Sequence, residues 1–344
     1  MVLVQPNAMN CLPVGYLREM TDIDADTPTH ITPGDIATAR RRIADDVRRT
    51  PLMRLPGRSL GIDCAELWLK LEHLQLGGSF KARGMFNRMR SQPVPKAGVI
   101  IASGGNAGIA VAEAARAMGV RAEVFVPETS SAAKRERLAE LGAVVTVGGA
   151  SYADALVASA ARQAESGAQP MHAYDQREVV IGAGTLAAEV EEEAGVPDRV
   201  LVSVGGGGLI AGIAAWFQDR CRINALEPEC APTLYRAHEA GRPVDVAVSG
   251  LAADSLGARR IGDLAWMITE RWVTDRHLLT DAAIATAQAD MWARLRLAVE
   301  PAAALPWASL TTGAVVPGRA ERVLLVVCGA NVALTSLAAP ALAR

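Results

Sequence analysis

The chain is poor in cysteine: five in 344 residues (Cys11, Cys64, Cys221, Cys230 and Cys328), odd in number, widely scattered and without a CxxC pair. That excludes a disulfide framework, gives no zinc-finger spacing and fits a reducing cytoplasm. An excess of one charge is also missing. Against 37 acidic residues stand 35 basic ones, for a formal net charge of −2, so there is no basic stripe for nucleic acid to bind. No apolar run is long and unbroken enough for a membrane. The most apolar late stretch, 323–342, is interrupted by Gly329, Asn331 and Pro340 and reads as a buried strand, a turn and a packed helix. Residues 1–20 lack the basic start and continuous apolar core of a signal peptide. The five histidines (His30, His73, His172, His238, His277) form no HExxH and lie by no GxSxG elbow. Zinc-hydrolase and serine-hydrolase chemistry are thereby disfavoured, and each histidine reads as a surface or cap residue.

What is present is the composition of an ordinary globular chain, half of it hydrophobic and 21% charged. Short apolar runs alternate with helical segments. Thr32-Pro33 opens a helix with apolar spacing at Ile36, Ala39, Ile43 and Val47. Strands are read at 68–72, 98–103 and 199–204, in AEVFVP, AVVTVG, RINAL and RVLLVVC. A helix is predicted from Asn106 to Met118, stopping at Gly119. The strands are apolar without strict alternation, as when helices cover both sheet faces. The pattern is α/β, with mainly parallel sheets in two domains: a larger one from 1–96 and 174–344, and a smaller one inserted at 97–173.

Three glycine-bearing turns follow apolar strands. Gly77-Gly78-Ser79-Phe80-Lys81-Ala82-Arg83-Gly84 places a lysine where a turn becomes a helix. Shielded there, its amine can lose a proton near neutral pH and form a Schiff base. Ser103-Gly104-Gly105-Asn106-Ala107-Gly108 opens the next helix with small residues that bare backbone N–H groups, a seat for a carboxylate. Gly205-Gly206-Gly207-Gly208 lets successive N–H groups converge on a phosphate, yet matches neither a Walker loop nor GxGxxG. Each turn has a plainer structural reading when taken alone.

In this order, the motifs resemble the fold type II pyridoxal-phosphate (PLP) enzymes, specifically the serine/threonine dehydratase family. KLEHLQLGGSFKARG is similar to its lysine segment, SGGNAG to its substrate-carboxylate loop and SVGGGGLIAG to its phosphate loop, with further agreement at VIGAGTLAAEV, LEPE, VEPAAAL and VVCGAN. The resemblance implies that Lys81 carries PLP and is the catalytic base, with Phe80 near the ring and Asn106 on its 3′-oxygen. It places Gly205, Gly206, Gly207 and Gly208 on the phosphate and Cys328 beside the pyridine nitrogen. Ser103, Gly104, Gly105, Asn106 and Ala107 would receive the substrate carboxylate. It further implies a monovalent or divalent cation on Glu227, Ala231, Thr233, Leu256 and Ala258, and a homodimer. The activity implied is loss of water and ammonia from L-threonine and/or L-serine, or another small β-hydroxy amino acid.

Three departures from the family bear on activity. Gly104 stands where racemizing relatives carry a serine, so no acid is expected on that face. Ala183 replaces a common Gln, and VEPAAA replaces EPSGA, which leaves the choice of serine or threonine open. β-Replacement, racemization and an unusual β-hydroxy substrate remain the alternatives.

Overall fold

Residues 30–332 are described by the computed structural model; Cys11, the N-terminal stretch and the helix read near 338–341 lie outside them. The described chain opens with α1 (Pro33–Arg42), β1 (Leu52–Pro56), β2 (Glu66–Lys70) and α2 (Lys81–Arg90). Then come β3 (Val99–Ala102), α3 (Asn106–Met118), β4 (Ala122–Val126), α4 (Ala132–Glu140), β5 (Val144–Val147), α5 (Tyr152–Ser166) and β6 (Gln169–Pro170). It continues through α6 (Arg177–Ala194), β7 (Arg199–Ser203), α7 (Gly208–Phe217), β8 (Arg222–Pro228) and α8 (Thr233–Ala240). The last elements are α9 (Asp263–Trp272), β9 (Asp275–Leu279), α10 (Asp281–Asp290), α11 (Pro301–Thr311) and β10 (Arg322–Val326).

The strands form a six-stranded sheet ordered β1-β2-β10-β7-β8-β9 and a four-stranded sheet ordered β5-β4-β3-β6. Every pairing of these strands is parallel except β1 with β2, as the non-alternating apolar runs predict. β4 and β7 are buried along their whole length, which requires cover on both faces. All four strands of the smaller sheet come from 99–170, between β2 and β7. Helix α2, from outside that span, nevertheless shares its core: Ala82, Met85, Phe86 and Met89 cluster with Ile109, Val111 and Val124. Helix α3 has the predicted bounds, ended by Gly119 at φ +65°, a left-handed turn that favours glycine. The strand read at 68–72 starts and stops two residues earlier. Leu71 and Glu72 leave the ladder because the chain turns into a short 3-10 helix at Glu72–Leu74, and the buried Glu72 carboxylate pairs with Arg83.

Two close crossings on α6 position the site. A Cβ at Gly182 would lie 2.7 Å from the Cα of Gly84 in α2, and one at Gly212 in α7 would lie 2.5 Å from the Gly184 nitrogen. Helix α6 therefore touches α2 on one side and α7 on the other, backbone to backbone. Alanine at Gly212 would gain about 1 kcal/mol of helix propensity. The clash must push two backbones apart, an overpacking cost of about 1–3 kcal/mol. Gly212→Ala is expected to be net destabilising, read as a lower urea midpoint at unchanged slope.

Candidate active site

The two helices that α6 spaces both begin at one cavity. After β2 the chain turns through Gly77 (φ +66°) and Gly78 (φ +75°) before α2 starts at Lys81. The end of β10 clamps this start: Phe80 N–H donates to the Cys328 carbonyl at 3.0 Å, and Ala330 N–H donates to the Gly78 carbonyl at 2.9 Å. Lys81 Nζ donates to the Ala173 carbonyl at 2.6 Å and stands 5.1 Å from the Phe80 ring centroid. Burial lowers its pKa to about 8, against the opposing pull of Cys328 and Glu300. A depressed ammonium next to a carbonyl, in a walled cleft, is a lysine prepared to act as a nucleophile.

On the facing side, β3 is followed by the turn Ser103, Gly104 and Gly105, and α3 begins at Asn106, which lines the cleft with the positive end of the helix behind it. The third wall is the turn after β7. A Cβ at Gly206 or Gly208 would drive into Tyr174, and one at Gly207 into Ile261 and Ala265. Gly207 also holds φ +88°, so no other residue suits the turn. Helix α7 starts at Gly208, which turns its first N–H groups toward the same space.

Lys81, Asn106, the four glycines, Cys328, Glu300 and Tyr174 line one narrow, largely enclosed cavity. Two wider depressions, around Arg236 and around Arg271, lie open on the surface and gather no comparable set. The chemistry of these residues suits PLP: a glycine cradle at a helix N-terminus for phosphate, a desolvated amine for the aldehyde, and an amide donor in the same lining. Burial pushes the Cys328 thiol well above its ordinary pKa, so it stands neutral.

The residues read as cation ligands are a poorer fit. Glu227 and Thr233 do converge, but Glu227 accepts from Thr233 Oγ1 at 3.0 Å, Leu234 N–H at 2.8 Å and Tyr235 N–H at 2.7 Å. The Ala231 carbonyl accepts from Thr233 N–H at 3.2 Å. Leu256 lies against Gly205, and Ala258 follows two residues later. As the side chains stand, the Glu227 carboxylate is filled by donors at the start of α8 rather than open to a cation. Among the described residues no group of three or more His, Cys, Asp or Glu could hold a metal.

Four residues escaped the sequence reading. Glu300 is 3% exposed, and its carboxylate accepts from Asn106 Nδ2 at 3.0 and 2.9 Å. Burial raises its pKa to about 7. Asn331 donates to Asn106 Oδ1 at 2.7 Å. Tyr174 caps the glycine turn. Ser130 lies beside Gly104: a Cβ there would sit 3.1 Å from Ser130 Oγ, a buried hydroxyl with no partner among the described residues. One histidine, His73, departs from the surface-or-cap reading, while His172 keeps the cap part of it. His73 is buried. His172 sits in the wall next to Ala173, where its Nδ1 accepts from Asp175 N–H at 2.8 Å. Burial, followed by nearby Lys81, lowers its pKa to about 4, so it is neutral.

The model of a family described as pyridoxal-phosphate dependent enzyme matches residues 43–329. The chain is 36% identical over 284 residues to the L-threonine ammonia-lyase of Geobacter sulfurreducens, spanning 80% of this chain and 69% of that protein. Among solved structures, a threonine deaminase from T.th. superposes with a TM-score of 0.81 at 31% identity, over 88% of this chain and 99% of that one. Maize serine racemase gives 0.82 at 30% identity, over 89% and 95%.

Proposed function

The chain belongs to the pyridoxal-phosphate dependent enzymes, and from that premise we propose that it is a lyase that removes ammonia from L-threonine and/or L-serine to leave a 2-oxo acid. The observation that carries this reading is the meeting of Lys81, Asn106 and the four-glycine turn in one cavity. Pyridoxal phosphate, when bound, supplies a conjugated sink for the electron pair left when Cα loses its proton.

The residues do the rest. Lys81 would hold the cofactor through Nζ, and the same amine, once free, would take the Cα proton. Backbone N–H groups from Ser103 through Ala107 receive the substrate carboxylate at the positive end of α3. Gly205, Gly206, Gly207 and Gly208 would receive the phosphate, and Asn106 would face the ring oxygen. Cys328, neutral, would stand by the ring nitrogen and offer it no negative partner, so the sink would be weak; loss of the β-hydroxyl, which takes up a proton and leaves as water, would be favoured over amino-group transfer. The released enamine tautomerises and reacts with water, giving ammonia with 2-oxobutanoate from threonine or pyruvate from serine.

The test mixes PLP-loaded protein with L-threonine, L-serine and their D-forms and follows 2-oxo acid and ammonia together. Equimolar release from an L-form is the expected result. A visible absorbance that shifts with amino acid but gives no release would overturn simple dehydration in favour of β-replacement or an unusual β-hydroxy substrate. One observation favours racemization as a second reading: the partnerless Ser130 hydroxyl beside Gly104, at the place where the loop itself lacks one. D-serine formed from L-serine in the same mixture would support it, and its absence would remove it.

We further propose a cytoplasmic homodimer in which the smaller body, 97–173, closes over the substrate. Among the described residues no helix is long and apolar enough to cross a membrane.

A further inference from the structure

An asparagine amide has two ends of nearly equal size and opposite polarity, and turning it over costs little unless its neighbours object. At Asn106 both neighbours do. Nδ2 faces the two oxygens of Glu300 at 3.0 and 2.9 Å, while Oδ1 faces Asn331 Nδ2 at 2.7 Å. Asn331 is itself fixed, since the same Nδ2 donates to the Gly77 carbonyl at 2.7 Å. Turned over, Asn106 would set oxygen against carboxylate and amide nitrogen against amide nitrogen.

The backbone is shaped to admit these two partners. A Cβ at Gly329 would overlap the Glu300 carboxylate, and a Cβ at Gly78 would come within 2.7 Å of Asn331 Oδ1. Glu300 is anchored by its own N–H, which donates to the Gly329 carbonyl at 3.1 Å. The glycine before Ser79 and the glycine after Cys328 thus make room for one hydrogen-bonded set that ends on Asn106.

We propose that Glu300 and Asn331 are positioning residues that fix which end of Asn106 faces the cofactor, so that an N–H rather than a carbonyl meets the ring oxygen. This rests on the reading that Asn106 faces that ring. Nδ2 carries two hydrogens. Both Glu300 oxygens lie on Nδ2, at 3.0 and 2.9 Å; one hydrogen forked between them leaves the other for the cavity. An N–H donor holds the ring oxygen more tightly without its proton than with one, because a bond to the ionised oxygen is the stronger. The device biases the protonation state of the bound cofactor before any substrate arrives.

The experiment is the absorption spectrum of substrate-free holoenzyme, with cofactor content measured separately. Wild type is expected in the visible form, with the ring oxygen deprotonated. Asn331→Ala removes one of the two constraints and is expected to raise the near-ultraviolet form relative to the visible one by up to about tenfold, the loss of one net hydrogen bond. Asn331→Asp sets oxygen against Oδ1 and should go further in the same direction. Glu300→Gln should shift the ratio as well. A merely structural role predicts no such order, because Asp replaces Asn at nearly equal size.

Lys81→Ala separates the failures. If that variant keeps the visible band, the site reading falls, whatever the others show. If it loses the band while the Glu300 and Asn331 variants keep the wild-type spectrum at full cofactor content, the site reading stands and the positioning role is overturned.

Discussion

Replacing Lys81 with alanine is expected to lower 2-oxo acid release by about 10³-fold or more, the upper range for a lost acid–base group that is also the nucleophile. Its Nζ is the amine that lines the cavity with Asn106 and the glycine turn. The loss should fall on kcat, with cofactor retained only by its phosphate and ring contacts and released on dialysis. The same amine predicts a pH dependence. Burial depresses its pKa from the ordinary 10.5 to about 8, so the reactive neutral form grows as pH rises and levels off above that value. Cofactor uptake by the apoprotein should therefore accelerate through about pH 8 and flatten beyond it, followed as growth of the visible band. An uptake rate still climbing at pH 10 would mean an ordinary exposed lysine.

Arg83→Leu is expected to cost about 3–5 kcal/mol, the range for removing one partner of a buried ion set. Arg83 is fully buried. Its guanidinium donates to Glu72 from Nε and from the second amino group, each at 2.8 Å, and to Glu189 at 2.7 and 2.8 Å. Lys70 Nζ donates to the same Glu189 at 2.7 Å. Two cations and two carboxylates balance inside the core. Without Arg83, Lys70 is left to answer both acids. Burial lowers the proton affinity of Lys70, which makes it the weaker partner. The exposed pair Arg236–Glu239 at 2.6 Å makes a suitable control, where alanine should change stability by less than about 1 kcal/mol. Urea midpoints of the holoenzymes would read both, and equal small shifts would show that the buried set adds nothing.

The fold was largely legible because its signals are local. Apolar runs without alternation predict parallel strands under two covers, and the strand-to-helix glycine turns mark where the chain reverses. Lys81, Asn106 and the four glycines could be singled out for the same reason. What the sequence could not display are partners set by distance along the chain. Glu300 reads as a residue ahead of Pro301 in a helix start, yet it serves Asn106, 194 positions away. Lys70 reads as a strand residue in LWLKLE, and its carboxylate lies 119 positions on. Strand β9, DRHLL, is only half-buried at the sheet edge and shows no apolar run. The missing hydroxyl at Gly104 was read as an absence, whereas Ser130 brings one from the loop before α4.

The crossings of α6 carry a consequence for how such a site can diversify. Gly182 against Gly84 and Gly184 against Gly212 make the separation of Lys81 from the glycine turn a matter of polypeptide thickness, indifferent to how neighbouring side chains repack. The gauge is rigid while the lining is free. Ser255 and Ala302 border the cavity without taking part in either crossing. A library confined to those two positions should therefore change which amino acid is accepted while every member still holds its cofactor in place.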